Sequence, residues 1–166
     1  YKPPPDSERS PSKPNLKNKS AAAKSQGHDT SITASHLNRQ PPPRFNEQDI
    51  DRSLIAYTAP DTYEAEQFRI LRTNVLFPKS GKPARNIMIA STAPSEGKSF
   101  VAANLAISIA QNIDKHVLLI DCDMRQPSIH KMFGFGPVPG LSDYLNQGTP
   151  LPSLMCRTFF ERLTIL

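Results

Sequence analysis

Three consecutive residues, Gly97, Lys98 and Ser99, have the types and order that proteins use to hold a nucleotide phosphate. A glycine lets the backbone approach the phosphate oxygens, a lysine ammonium neutralises the β- and γ-phosphates, and a serine hydroxyl can coordinate Mg²⁺. The usual pattern starts with a further glycine, whose position here is taken by Thr92. We therefore predict a deviant phosphate loop in which Glu96 points outward, because an acid beside a phosphate is unfavourable. The predicted nucleotide-binding residues are Thr92, Ala93, Pro94, Ser95, Glu96, Gly97, Lys98, Ser99 and Phe100.

Two acids, Asp121 and Asp123, directly follow a continuous apolar run. In a parallel sheet the carboxyl ends of neighbouring strands lie at one edge, so we expect both acids beside the phosphate loop. We predict that Asp121 accepts a proton from an attacking hydroxyl and that Arg125 orients the two carboxylates. The alternative is that Asp121 merely caps the following turn, as Asp often does after a strand. The predicted catalytic residues are Lys98, Asp121, Asp123 and Arg125, and the predicted Mg²⁺ ligands are Ser99, Asp121 and Asp123.

The residues around these motifs predict a βαβ unit. A strand is expected over 86–90, a helix from Lys98 to about Asn112, and a second strand over 116–121. The second strand is apolar throughout, which is typical of a parallel strand that is buried on both faces. The helix is apolar nearly all round, as suits a helix that packs tightly against a sheet.

The remaining patterns extend this unit on both sides. Short helices are predicted over 128–133 and 141–146, and a third strand over 162–166. The phosphate loop, the alternating elements and the buried strand together predict an α/β fold. We expect a P-loop NTPase-type parallel sheet with flanking helices, which is incomplete and is preceded by a disordered tail. Because the chain begins with Tyr1 rather than Met and its last residues resemble a strand just beginning, we expect a fragment cut at both ends.

A further helix is predicted ahead of the βαβ unit, from a cap at Asp61 to about Leu76. Its expected buried face consists of Phe68, Leu71 and Val75, which recur at helical spacing. Taken alone, the charged residues of this helix predict an exposed, salt-bridged stripe.

The positive charge is concentrated in the first part of the chain. The net charge is +5, yet residues 45–166 hold as many acidic as basic residues, so we do not expect the folded part to bind nucleic acid. Residues 1–45 are rich in Pro, Lys and Ser and poor in large apolar residues, and are predicted to be a disordered linker. The linker could also offer proline-rich peptide ligands or lie over an anionic membrane face, but a solvated tether is favoured. The two cysteines fit reduced thiols rather than a disulfide framework.

In combination, three motifs resemble the bacterial tyrosine autokinases of the capsule and exopolysaccharide type, the CpsD/CapB/Wzc-like family. They are the glycine-poor loop over 91–99, the Leu-Leu-Ile-Asp-Cys-Asp-Met-Arg segment over 118–125, which is similar to the Walker A′ motif, and Glu66, Arg69 and Arg72, which resemble an oligomerisation motif. The resemblance covers about residues 57–166 and identifies 46–166 as the N-terminal part of a P-loop kinase domain.

The resemblance implies an ATP- and Mg²⁺-dependent protein-tyrosine autokinase that regulates exopolysaccharide or capsule synthesis and chain length. It implies a tyrosine-containing protein substrate and a homo-oligomer formed through Glu66, Arg69 and Arg72. It also implies a transmembrane polysaccharide co-polymerase or activator, either separate or fused upstream, and a cytoplasmic location at the inner face of the plasma membrane.

The chain departs from the family pattern in two respects. It has no later Walker B aspartate and no tyrosine cluster, and its adenine contacts cannot be assigned. As given, it is therefore expected to bind nucleotide weakly and to be inactive as a kinase. One alternative is a MinD/ParA-like ATPase, although the extra loop lysine of those proteins is replaced here by Ala93. The other is a non-catalytic nucleotide-binding or assembly module of a polysaccharide export complex.

Overall fold

The computed structural model of the chain describes residues 45–111 and 115–166, so the predicted linker up to residue 44 lies outside the described residues. The helices are α1 (Ile55–Thr58), α2 (Tyr63–Leu76), α3 (Lys98–Ala110), α4 (Ile129–Met132), α5 (Leu141–Gln147) and α6 (Leu151–Leu154). The strands are β1 (Phe45–Ile50), β2 (Val117–Leu119), β3 (Phe133–Phe135), β4 (Cys156–Arg157) and β5 (Leu163–Ile165). The predicted helices near 61–76, 98–112, 128–133 and 141–146 and the strands near 116–121 and 162–166 are confirmed as α2, α3, α4, α5, β2 and β5.

A three-stranded sheet with the order β2-β5-β4 supports the centre of the fold. Strands β2 and β5 are parallel, with Val117 opposite Leu163, and the Asp121 amide continues their ladder by donating to the Leu166 carbonyl at 2.8 Å. Strand β4 runs antiparallel to β5. The sheet thus contains the predicted parallel pair and one antiparallel strand, because only a few residues join β4 to β5 and so short a connection favours an antiparallel pair.

The segment over 86–90, predicted as the strand before the phosphate loop, forms no strand. A strand needs a ladder partner, and no described residue pairs with this segment. The expected burial of β2 on both faces is also wrong, because Leu118 and Ile120 are 44% and 43% exposed. Met88 of the unpaired segment is 89% exposed. Among the described residues, one face of the sheet therefore remains uncovered.

Helix α3 forms the centre of the core, and Ala103 and Ile107 are fully buried in it. Helix α2 packs against α3 through Phe68 and Leu76, which contact Leu105 and Ile109 in one cluster (Val75 is partly buried). The α2 prediction is wrong in two details. The N-cap is Thr62, whose hydroxyl accepts from the Ala65 amide, rather than Asp61, and Leu71 is exposed rather than buried.

Two buried polar side chains fasten neighbouring helices to α3. The Asn104 side-chain oxygen accepts from the Ala56 amide at 2.9 Å, and its nitrogen donates to the carbonyls of Ser53 and Phe100. The Ser108 hydroxyl donates to the Phe68 carbonyl at 3.4 Å. Because buried polar groups are costly unless they are hydrogen-bonded, these contacts specify how α1 and α2 meet α3.

The sequence patterns did not predict the antiparallel pair β1-β3. Gly134 makes this pair possible, since it has a φ of +74° and a Cβ there would lie 2.5 Å from the Asn46 carbonyl oxygen. The rings of Phe45 and Phe135 contact each other across the pair at a tilt of 55°, with centroids 5.8 Å apart. No helix within the described part of the chain is both long and apolar enough to cross a membrane.

Candidate functional site

The phosphate loop, residues 91–97, connects directly to the N-terminus of α3. Gly97 is the N-cap residue of α3 and has a φ of +88°, which favours glycine, and Ser95 has a φ of +60°. No described side chain caps α3, so its first-turn amides have no side-chain acceptor. Open amides together with the positive end of the helix dipole make this end of α3 suitable for binding an anion.

Glu96 of the phosphate loop and Lys98, the first residue of α3, both bind to the loop. The Lys98 ammonium donates to the Ser91 hydroxyl at 2.9 Å and to the Ala93 carbonyl at 3.2 Å. The Glu96 carboxylate accepts from the Ala93 amide at 3.0 Å, so the prediction that Glu96 points outward is wrong. The Ala93 amide, and after it the Ser91 hydroxyl, lower the pKa of Glu96. The Ala93 amide can donate a hydrogen bond to a nearby anion, and in this structure that anion is the Glu96 carboxylate.

The acid turn, residues 121–129, holds its two carboxylates by backbone amides. Asp121 is half-buried and accepts three hydrogen bonds, from the amides of Asp123 (3.0 Å), Ser128 (2.9 Å) and Ile129 (3.0 Å). The carboxylate of Asp121 therefore caps the N-terminus of α4, the alternative role considered for it. A carboxylate has about four acceptor positions, so about one remains for a metal-bound water or a substrate proton.

Asp123 is exposed and accepts from the amides of Arg125 at 3.2 Å and Gln126 at 3.0 Å. Arg125 therefore meets this carboxylate through its backbone N–H. Its guanidinium donates to neither acid within the described ranges, where the single ion pair joins Arg69 and Glu66. The two carboxylates are thus oriented by backbone amides, and not by the Arg125 guanidinium as predicted. The types and spacing of the side chains do not reveal these backbone contacts.

A hydrogen bond between two serine hydroxyls connects the phosphate loop region to the acid turn. Ser128 donates to Ser99 with 3.2 Å between the oxygens, across 29 residues of sequence. The fold thus brings Ser99 to the turn that contains Asp121, although the strand expected over 86–90 does not form. Sequence reasoning missed Ser128, although a serine just before a predicted helix is a recognisable N-cap signal. No group of three or more metal-binding acids, cysteines or histidines occurs among the residues described.

A cavity of about 90 Å³ lies beside the acid turn. Asp121, Asp123 and His130 line it together with apolar residues, among them Ile129 and Leu154. Burial lowers the pKa of His130, the Lys131 charge lowers it further, and the Asp121 charge opposes both. His130 is therefore biased toward the neutral imidazole, which can accept as well as donate a hydrogen bond.

Comparison with known proteins finds relatives of this chain. Residues 87–142 match the CobQ/CobB/MinD/ParA nucleotide binding domain. The chain is 43% identical over 96 residues to tyrosine-protein kinase YwqD of Bacillus subtilis (strain 168), an alignment that covers 58% of this chain and 40% of that protein. It is 44% identical over 92 residues to tyrosine-protein kinase wzc of Salmonella typhimurium, covering 55% of this chain and 13% of that protein.

A solved structure agrees with these relatives. The crystal structure of the chimerical protein CapA2B2 superimposes with a TM-score of 0.61 at 37% sequence identity, and the match covers 70% of this chain and 52% of that one. The chain is therefore similar to bacterial tyrosine-protein kinases, as its motifs predict. Its α/β fold of the P-loop NTPase type is confirmed as well.

The chain spans only part of the proteins it matches, namely 40% of the Bacillus protein and 13% of the Salmonella protein.

Glu66, Arg69 and Arg72, the α2 stripe that resembles the family's oligomerisation motif, make contacts within the chain. Arg69 donates to Glu66 at 2.7 Å and to the Pro60 carbonyl at 2.6 Å. Arg72 donates to the Ser108 carbonyl at 2.9 Å, in the last turn of α3. Glu66 and Arg69 thus lie at the surface, while Arg72 braces α2 against α3.

Proposed function

We propose that this chain is the N-terminal, nucleotide-binding part of an ATP-dependent protein-tyrosine autokinase that regulates exopolysaccharide or capsule synthesis and chain length. One observation carries the proposal: the open N-terminus of α3, with Lys98 in its first turn, is hydrogen-bonded to the acid turn through Ser99 and Ser128. The names of the matched relatives, which are tyrosine-protein kinases, support the same activity.

The proposed roles follow from the chemistry of each group. Residues 92–100 bind the phosphates, chiefly through backbone amides, and Lys98 neutralises the charge that shifts as the γ-phosphoryl group leaves. Lys98 first has to exchange its contacts with Ser91 and Ala93 for phosphate oxygens. Asp121 accepts the proton of the incoming tyrosine hydroxyl at the acceptor position that the backbone amides leave open.

The oxygen donors near the loop fit Mg²⁺. Hydroxyl and carboxylate oxygens are the ligands that this ion prefers, and Ser99 lies beside the turn that carries Asp121 and Asp123. Ser99 and the two acids would hold the ion, directly or through water. When bound, Mg²⁺ neutralises charge on the β- and γ-phosphates. The arrangement of Asp123 by the amides of Arg125 and Gln126 keeps its second oxygen available for this task.

The first experiment tests nucleotide binding. We expect the full chain to bind MgADP in calorimetry, and we expect Lys98→Ala to weaken binding at least tenfold, the equivalent of about 1.4 kcal/mol. Lys79→Ala, at an exposed lysine outside the loop, is the matched control and leaves the affinity unchanged. Equal affinities of Lys98→Ala and the original chain would refute the assignment.

A second experiment tests catalysis and separates the kinase from a non-catalytic assembly module. One observation favours the module: backbone amides already take three acceptor positions of Asp121. A polypeptide that continues past Leu166 in its natural reading frame is incubated with MgATP and probed for phosphotyrosine. The kinase proposal expects a signal that Asp121→Asn abolishes. Nucleotide binding without phosphotyrosine would favour the module.

The proposed setting follows from the resemblance. Residues 1–45 would tether the kinase part, residues 46–166, to a transmembrane co-polymerase or activator, at the cytoplasmic face of the plasma membrane. Protein tyrosines would be the substrate.

We also propose a homo-oligomer formed through the α2 stripe, Glu66, Arg69 and Arg72. Of these three residues, Arg72 also stabilises the fold. Glu66→Ala and Arg69→Ala are expected to reduce self-association, measured by sedimentation, without lowering Tm. Arg72→Ala is expected to reduce self-association and also to lower the unfolding free energy by about 1–2 kcal/mol, because it removes a charged hydrogen bond to Ser108. Unaltered sedimentation of all three variants would refute the stripe as a contact.

A further inference from the structure

We infer that Ser128 is a positioning residue for the metal-binding hydroxyl of Ser99. The inference rests on the proposed function and adds a residue to it. Ser128 would hold the Ser99 oxygen at the angle at which it can meet Mg²⁺ on a bound nucleotide. It would also fix the distance between the start of α3 and the acid turn.

The backbone of Ser128 is fixed by the acid turn. Its amide donates to one oxygen of Asp121 at 2.9 Å, and the amide of Ile129 donates to the same oxygen at 3.0 Å. Asp121 is itself anchored, because its amide extends the ladder between β2 and β5. Ser128 therefore stands at a defined place relative to the sheet.

The side chain of Ser128 does not do what an N-cap serine usually does. An N-cap hydroxyl normally accepts from an amide in the first turn of its own helix. Ser128 makes no such bond with α4, because Asp121 takes the first amides of that helix instead. The Ser128 hydroxyl is thereby available to Ser99, with which it shares a partly buried hydrogen bond of 3.2 Å.

This hydrogen bond restricts the hydroxyl that the phosphate motif supplies. A serine oxygen has two lone pairs and a freely rotating O–H bond. When Ser128 donates to one lone pair of Ser99, the other lone pair has a defined direction and remains for a cation. A group held in advance loses less entropy when its ligand binds, so the benefit appears as metal-dependent affinity.

The test separates metal-dependent from metal-independent binding. The full chain is titrated with ADP by calorimetry, once in excess EDTA and once in excess Mg²⁺, and the ratio of the two affinities is the magnesium gain. We expect Ser128→Ala to reduce the magnesium gain about fivefold, the ratio that one neutral hydrogen bond is worth. The affinity in EDTA is expected to stay the same. A merely structural role would lower both affinities in the same proportion.

Three further variants make the result decisive. Ser128→Thr keeps the hydroxyl and is expected to restore the gain. Ser128→Gly removes the hydroxyl while keeping a residue that N-cap positions accept, so it replaces the alanine variant if that one folds poorly. Ser153→Ala, at an exposed hydroxyl near the start of α6, is the matched control.

The outcomes distinguish the inference from the proposed function. A reduced gain in Ser128→Ala or Ser128→Gly that Ser128→Thr restores supports the inference. An unchanged gain, or an equal loss with and without Mg²⁺, overturns the inference alone. A wild-type chain that binds ADP under neither condition overturns the proposed function and, with it, the role of Ser128.

Discussion

The phosphate loop and the acid turn lie next to each other but are held in opposite ways. In the loop, Lys98 and Glu96 bind to exposed groups of the loop itself. In the turn, Asp121 accepts three backbone amides and Asp123 accepts two. The turn is thus set by the fold, whereas the loop is closed by contacts that a phosphate can replace.

This difference has an energetic basis. Hydrogen bonds from amides to a half-buried carboxylate contribute substantially to the free energy of unfolding, because their loss leaves donors without partners. Contacts between exposed charged side chains and a loop backbone compete with water and contribute little. Binding of nucleotide should therefore rearrange the loop and leave the turn in place.

The largest effect is expected when the turn loses its central acceptor. Asp121→Ala leaves three amides without their carboxylate and is expected to lower the unfolding free energy by about 3 kcal/mol. Urea unfolding followed by circular dichroism measures this change. Asp61→Ala, at an exposed acid outside the turn, is the control and is expected to change stability very little. A loss below about 1 kcal/mol would show that the turn is not held by Asp121.

A smaller effect is expected for the second acid of the turn. Asp123→Ala removes two hydrogen bonds, but Asp123 is exposed and water can satisfy the amides of Arg125 and Gln126. The same unfolding experiment should give a loss of about 1 kcal/mol. A loss equal to that of Asp121→Ala would contradict the ranking of the two acids.

The pH dependence of stability tests His130, which directly follows the acid turn in α4. The pKa of His130 is lowered, chiefly by burial, so in the folded state it binds its proton less readily than in the unfolded state, where its pKa is near 6.5. Stability should therefore fall as pH drops from above 6.5 to below the folded pKa, and then level off. Unfolding at a series of pH values measures this slope, and His130→Gln should flatten it. The exposed His116 serves as control, and an equal slope in His130→Gln would exclude His130 as the source.

The smallest effect on stability is expected in the phosphate loop. Glu96→Gln keeps an acceptor for the Ala93 amide but removes the negative charge, so Tm should not change. The affinity for MgADP should rise a few-fold, because a competing anion has been removed.

Because the pKa of Glu96 is lowered from 4.5, its contact with the loop is present above that value and is lost only as pH falls through the lower folded pKa. The ratio of affinities between Glu96→Gln and wild type should therefore be constant from pH 6 to 8, as calorimetry at several pH values can measure. A lower affinity of the variant would show that Glu96 assists binding.

Local patterns predicted much of the fold. The helical spacing of α2 and α3, and the apolar run of β2, are properties of neighbouring residues, and the structure confirms these elements. The pairing of β1 with β3 depends on Gly134 passing close to Asn46, almost ninety residues earlier, which no local pattern encodes. The unpaired segment over 86–90 failed as a strand for a related reason: its apolar pattern is that of a strand, but a ladder needs a partner.

The candidate site shows the same limit. The types and spacing of Gly97, Lys98 and Ser99 predicted a loop at the start of a helix, and the helix does begin at Lys98. The assignment of these residues to nucleotide binding stays a prediction. The contacts of Glu96 and Ser128 were not foreseen, because each depends on how the backbone folds around the side chain rather than on its type. Asp121 could equally be a cap or a base by sequence alone.

Arg72 connects α2 to the end of α3 that lies opposite the phosphate loop. This helix is 13 residues long, or about 20 Å, with the phosphate loop at its front end and the Arg72 guanidinium on a carbonyl near its rear end. Loss of that hydrogen bond would remove a positive partner from the C-terminal end of α3, while the buried Asn104 still holds the middle of the helix to Ser53 and Ala56. A partner that bound the Arg72 guanidinium would therefore act on the same helix whose other end begins at the phosphate loop.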